Sequence, residues 1–320
     1  MQTERLATDQ MGLARAAILL AGGQVVAIPT ETVYGLAGDA RDGAAVAAIY
    51  AAKGRPSFNP LIVHVADTGT VRAIADLPPE AEQLAAAFWP GALTLVLPLR
   101  ADAGIASLVT AGLPTVALRV PAHPVAQALL SLTGPLAAPS ANASGRISPT
   151  RADHVLDPDG GLDGRIAAVL DAGPCPVGLE STIVGWPGGR ATLLRPGAVP
   201  AEAIAALLGH PLATHRADPA APNAPGQLTS HYAPNAPLRL DAADPRPDET
   251  FVAFGAPGRF SLSDTGDLVQ AAARLFDTLR RADREGRPIA VAPIPDHGLG
   301  AAINDRLCRA AAPRGGNPRA

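Results

Sequence analysis

Short apolar runs alternate along the chain with longer stretches whose apolar residues recur at helical spacing, the pattern of an α/β protein. Runs at 25–28, 61–65, 93–97, 116–120, 167–170 and 182–184 read as buried strands, and 136–138 as a shorter one. Thr8 or Asp9 caps a predicted helix that runs to Leu20 and stops at Gly22-Gly23. Residues 43–52 are helical with Gly54 as their stop, and 79–88 and 124–132 are helical as well. The expectation is a large mixed, twisted sheet flanked by helices. Further along, 251–254 and 288–294 read as strands and 301–311 as a helix. Leu268, Ala272, Leu275, Phe276 and Leu279 mark one face of another helix. These pieces predict a second, small α/β unit of Rossmann-like type.

Between the two the texture changes. Prolines stand at 196, 200, 211, 219, 222, 225, 234 and 237, and after a short helix at 201–208 they forbid regular structure, because proline fixes φ and lacks a donor. The expected organisation is a larger domain over 1–198, a Pro-rich linker over 199–237 and a small C-terminal domain over 238–320.

Composition narrows the function. Of 320 residues, 48% are apolar but only 3% aromatic, so the cores must rest on Ala, Val, Ile and Leu. A net charge of −3 argues against a dedicated nucleic-acid binder, which needs clustered cations. Cys175 and Cys308 are too few and too far apart for a disulfide framework or a cysteine zinc site. No apolar run is long enough to span a bilayer, and Glu4 and Asp9 do not suit a secretory leader. A soluble, cytoplasmic protein is expected.

Several segments carry candidate chemistry. Lys53 is the only lysine among 26 cations, so a site that needs a compact ammonium rather than a guanidinium fork would explain its retention. A favourable cation at a helix C-terminus would explain its position equally well. Pro29-Thr30-Glu31-Thr32-Val33-Tyr34-Gly35 follows a buried strand, where α/β sheets bind ligands, but it also reads as a polar turn. His64 shares a strand face with Ile62 and suits either a core or a ligand contact. Arg119 shares a face with Thr115 and, in a buried strand, needs an anionic partner from protein or ligand. Pro139-Ser140-Ala141-Asn142-Ala143-Ser144-Gly145 is a small-residue loop whose amides could approach phosphate oxygens.

Taken together, PTETVYGL (29–36), KGRPSFNPL (53–61), His64, TVALRVP (115–121), PSANASG (139–145), GLESTIV (178–184) and LLRPG (193–197) resemble the YrdC-like threonylcarbamoyl-AMP synthase family in order and spacing. Pro225-Gly226, His231-Tyr232-Ala233-Pro234, Gly298-Leu299-Gly300 and Ala302-Ile303-Asn304-Asp305-Arg306 resemble its longer, two-domain branch. The resemblance implies a nucleotidyltransferase that joins L-threonine, bicarbonate and ATP into threonylcarbamoyl-AMP and pyrophosphate. The product would pass to the tRNA threonylcarbamoyl-transfer machinery. By motif position, Thr32, His64, Arg119 and Ser181 would contact threonine. Arg55, Asn59, Thr115, Ala138, Ser140, Arg195, His231 and Tyr232 would contact ATP, with Lys53 and Arg55 as the catalytic cations. Magnesium is expected with the nucleotide, on unknown protein ligands, and a weak affinity for RNA is implied. The linker would cross the site as a lid. Here Ala224-Pro225-Gly226-Gln227 departs from the Ser-Pro-Gly-Met usual in relatives, and basic residues that commonly follow are missing. An RNA-binding module and a hydrogenase-maturation carbamoyl-transfer protein are the rival readings. The second needs cysteine-rich zinc motifs that two lone cysteines do not supply.

Overall fold

The structure, a computed structural model, describes residues 2–56, 58–214, 224–225 and 230–313. Ser57, residues 215–223 of the proline-rich stretch and the Gly226-Gln227-Leu228-Thr229 part of the linker motif lie outside the described residues.

Strand β1 (Glu4–Leu6) leads into α1 (Gln10–Ala21), whose cap is Asp9: its carboxylate accepts from Gly12 N at 2.8 Å. Strands β2 (Val26–Ile28) and β3 (Gly35–Asp39) pair antiparallel around the 29–34 loop. Helix α2 (Gly43–Lys53) ends at Gly54, whose φ of 60° suits a residue without a β-carbon. Next come β4 (Ile62–His64), α3 (Thr68–Ile74), α4 (Pro79–Phe88) and β5 (Leu93–Pro98). They are followed by α5 (Ser107–Thr110), β6 (Thr115–Arg119), α6 (Pro124–Thr133), β7 (Leu136–Ala137) and α7 (Ala152–Val155). Strands β8 (Ala168–Leu170), β9 (Thr182–Gly185) and β10 (Thr192–Arg195) precede α8 (Ala201–Leu208) and β11 (Ala213–Thr214).

These strands form one 11-stranded sheet in the order β1-β8-β2-β3-β7-β4-β6-β5-β9-β10-β11. It is mixed: β4 runs parallel to β6 and β5 to β9, whereas β6 and β5 are antiparallel. One face packs Leu36, Ile49, Leu84, Leu95 and Leu118 in a main core. The other is covered by α1 and α6 through Leu19, Leu20, Leu129 and Leu130. The sheet continues past residue 198, because β11 lies within the stretch expected as linker and pairs parallel with β10.

A second sheet holds β12 (Leu238–Arg239), β13 (Thr250–Val252) and β14 (Ile289–Val291), all parallel, in the order β12-β14-β13. Helices α9 (Leu268–Asp283) and α10 (Leu299–Ala311) accompany it. Leu275, Phe276, Leu279, Ile303 and Leu307 are the heart of its core, and the same cluster takes in Val33, Ile147, Leu179 and Tyr232. The small unit therefore shares its apolar core with the large one. Gly178 makes the approach close: a β-carbon there would stand 2.5 Å from Ala272 O and 2.6 Å from Ala273 Cα of α9.

Candidate active site

A cavity opens where the 29–34 loop, the ends of β4 and β6, the 138–140 segment and the 180–181 segment converge, with linker residues Pro225, His231 and Tyr232 against it. One corner is built on Arg119. Adjacent strands β4 and β6 pair in register so that His64 stands opposite Arg119. The Arg119 guanidinium donates to Glu31 Oε1 at 2.5 Å, to Thr32 Oγ1 at 2.9 Å and to Gly91 O at 3.0 Å. The loop carrying Glu31 and Thr32 is folded by Thr30, whose hydroxyl donates to Val33 O at 2.6 Å and accepts from Val33 N at 3.3 Å. His64 is 3% exposed and its Nδ1 has no protein partner. Burial, then the Arg119 charge, pushes its imidazole down to about 3, so it is neutral at ordinary pH.

The second corner is built on Arg195 at the end of β10. Its Nη2 donates to Ser181 O at 2.8 Å and Ser181 Oγ at 3.2 Å, and Nη1 reaches Pro225 O at 3.4 Å. Ser181 Oγ also lies 2.7 Å from Thr94 Oγ1. Neighbouring Glu180 accepts from Ser148 Oγ at 2.5 Å and from Arg306 Nε at 2.8 Å.

The third corner carries Arg55, whose Nη2 donates to Pro60 O at 2.9 Å. Arg55 and Arg195 bind carbonyls and a hydroxyl but form no ion pair among the described residues. Burial pushes the Arg55 guanidinium down to about 10, and burial lowers Arg195 as well, against the opposing charges of Tyr232, Glu180 and Asp305.

Arg55, Arg119, Arg195, Thr32, His64, Ala138, Ser140, Ser181, His231 and Tyr232 thus share one cavity wall. Three expected site residues do not line it. Lys53 stands behind the wall: its Nζ donates to Ser140 O at 2.5 Å and Asn142 O at 2.6 Å, so it holds the 139–145 loop by its backbone. Burial, then Arg55, pushes its ammonium well below the ordinary lysine range. Thr115 begins β6, four residues from Arg119 and thus about 13 Å along the strand. Asn59 is fully buried, and neither side-chain polar atom has a partner among the described residues. An amide left so inside a protein is costly unless a ligand completes it.

Thr30, Val33, Gly35, Ile62, Pro139 and Glu180 also line the cavity, although the sequence reading gave them no role. Thr30 carries a usable signal as a hydroxyl of the 29–35 run, and Glu180 as the one carboxylate in the GLESTIV motif.

The family model described as "Telomere recombination" matches residues 18–197, and that described as "Threonylcarbamoyl-AMP synthase, C-terminal domain" matches 199–312. A threonylcarbamoyl-AMP synthase of Bacillus subtilis is 42% identical, over 98% of this chain and 96% of its own. One of Pyrococcus abyssi is 39% identical, over 92% of each. The crystal structure of P. abyssi Sua5 complexed with L-threonine superposes with a TM-score of 0.86 at 36% identity, covering 97% of this chain and 98% of that one. The chain belongs to the threonylcarbamoyl-AMP synthase family, in its two-domain form.

Proposed function

We propose that the cavity binds L-threonine at the Arg119 corner and ATP along Arg55 and Arg195, and forms threonylcarbamoyl-AMP and pyrophosphate. The carrying observation is the excess of buried cations: Glu31 pairs with Arg119 and Glu180 with Arg306, which leaves Arg55 and Arg195 as positive charge suited to phosphates. Threonine bound to the relative's crystal structure supports the amino-acid assignment. Thr32, His64, Arg119 and Ser181 supply a guanidinium for a carboxylate and hydroxyls for a hydroxy amino acid. Asn59 has unpartnered amide atoms suited to a nucleoside, and Ala138, Ser140, His231 and Tyr232 line the cavity as expected nucleotide contacts, whereas Thr115, outside the lining, is left without that role.

In the reaction, the neutral amine of threonine adds to CO2, the C–N bond forms and a proton leaves, which gives a carbamate. A carbamate oxygen then bonds to the α-phosphorus as its bond to the bridging oxygen breaks, and pyrophosphate departs. Two anions have to meet, so fixed cations and positioning account for most of the acceleration. A neutral His64 adds no charge that would compete with Arg119 for the substrate carboxylate. Lys53 acts through the carbonyls of the Ser140 loop.

Magnesium would enter with the triphosphate. Among the described residues no cluster of His, Cys, Asp or Glu fits a metal ion, and Glu31 and Glu180 are salt-bridged to arginines. Phosphate oxygens and water would be its ligands, and no step above passes through it. Transfer of the product to a tRNA-modifying enzyme, a weak contact with RNA and a cytoplasmic location belong to the same proposal. No helix among the described residues is long and apolar enough to cross a membrane.

Mass spectrometry of products from ATP, with and without threonine and bicarbonate, tests the reading. Threonylcarbamoyl-AMP should require all three, and AMP or ADP formed regardless of threonine would overturn it.

A further inference from the structure

We infer that Arg306 is a positioning residue of the active site, through which the C-terminal domain fixes the His231-Tyr232 segment against the cavity. The inference takes what the cavity does from the synthase reading, but how the segment is held follows from contacts alone.

Arg306 projects from α10, 126 residues beyond Glu180, and is fully buried. Its Nε donates to Glu180 Oε2 at 2.8 Å and its Nη1 to Asp305 Oδ2 at 2.6 Å. The same guanidinium lies 5.2 Å from the centroid of the Tyr232 ring, a cation–π distance. Phe276 of α9 stacks on that ring at 5.6 Å and 25°. The guanidinium and the stacked ring against the linker tyrosine therefore both come from the C-terminal domain.

The tyrosine needs holding. Its φ is 63°, in the left-handed region that a residue with a β-carbon occupies only when its surroundings impose it. On either side the backbone is tied down: His231 N donates to Arg309 O at 3.2 Å, and Ala233 N to Gly145 O at 2.8 Å. Helix α10 thus grips the segment twice, by the Arg306 guanidinium and by the Arg309 carbonyl.

The other end of Arg306 works on the large domain. Glu180 lines the cavity and sits between Arg306 and Ser148, and the next residue, Ser181, binds Arg195. One side chain therefore sets both the linker aromatic pair and the segment that presents Ser181. A merely structural ion pair would satisfy Glu180 but would have no reason to stand on the Tyr232 ring.

The test uses the full chain with Arg306→Lys, Arg306→Met and the double variant Glu180→Gln/Arg306→Met, which removes both charges of the Glu180–Arg306 pair together. Hydrogen exchange over residues 230–236 should quicken by about tenfold in the double variant, with the β4 and β6 amides unchanged. Threonylcarbamoyl-AMP formed per ATP consumed should fall by about tenfold. Arg306→Lys, which keeps the charge but loses the planar fork, should lie between. A folded double variant with parental exchange over 230–236 and parental yield overturns the inference. If the parent protein makes no threonylcarbamoyl-AMP, the synthase reading fails by itself, and the exchange result still decides whether Arg306 holds the segment.

Discussion

Arg119 and Glu31 meet as a buried ion pair, Nη2 to Oε1 at 2.5 Å, with side chains 4% and 10% exposed. Burial alone would raise the Glu31 carboxyl, but the charge and hydrogen bond of Arg119 carry it below its ordinary value. The pair answers the need for an anionic partner that a cation in a buried strand creates, and it comes from the protein itself. It also leaves Arg119 aimed at Thr32, so the carboxylate acts as the splint for the proposed threonine corner.

Removing the splint should separate stability from binding. Glu31→Ala leaves an unpaired buried guanidinium and should cost about 3–5 kcal/mol of unfolding free energy. Glu31→Gln keeps the shape and should cost less, but should raise the threonine KM by about tenfold as Arg119 loses its orientation. Urea denaturation and steady-state kinetics on the two variants check both expectations.

Asn59 should show the opposite trade. Its amide is buried without partners, so Asn59→Leu removes a desolvation cost and should stabilise the protein by about 1–2 kcal/mol. The same change should weaken ATP binding by about tenfold or more if the nucleotide completes that amide. Calorimetric ATP titration beside a thermal melt reads both effects, and a variant that gained stability without losing ATP affinity would detach Asn59 from the nucleotide site.

Lys53 should not tolerate arginine. Its compact ammonium sits between the carbonyls of Ser140 and Asn142, a space that a planar fork does not fit. Both Lys53→Arg and Lys53→Met should loosen the 139–145 loop and raise the ATP KM by about tenfold, at a stability cost of about 1–3 kcal/mol. Equal kinetics for Lys53→Arg and the parent would sink this account.

Acid should weaken the fold well before the carboxylates titrate. Burial lowers His64, His154 and His231, His64 to about 3, from an ordinary value of 6.5. Below that ordinary value the unfolded chain binds protons that the folded chain refuses, so stability is lost as pH falls from about 6.5 toward 5. Each group contributes a slope of at most about 1.4 kcal/mol per pH unit. Urea midpoints at successive pH values should show this slope, and His64→Gln should reduce it by about one proton.

Local chemistry made some elements legible and left others hidden. Helices α4 and α8 fall within the expected bounds, because a proline opens the first and a glycine closes the second. Strand β3 was read only as the end of a polar motif. Gly35 and Gly38 carry no strand preference, and only pairing to β2 on one side and β7 on the other makes that segment extended. Strand β11 was hidden for the same reason, since its partner β10 alone defines it.

In the site, side-chain type was readable but direction was not. The sole lysine stood out, yet nothing local shows that its ammonium turns to carbonyls of the 139–145 loop rather than into the cavity. Arg306 was visible only as part of a motif, because its partner Glu180 is 126 residues away.

Gly178 lets the large domain press against the backbone of α9. With the backbone of α9 standing where a side chain would begin, even a methyl group there would act as a wedge between the domains. Val33, Ile147 and Leu179 belong to the same apolar cluster as Leu275 and Phe276, so cutting the chain before α9 would lay a greasy scar beside the active site. The second domain is less an appended module than the missing half of a wall.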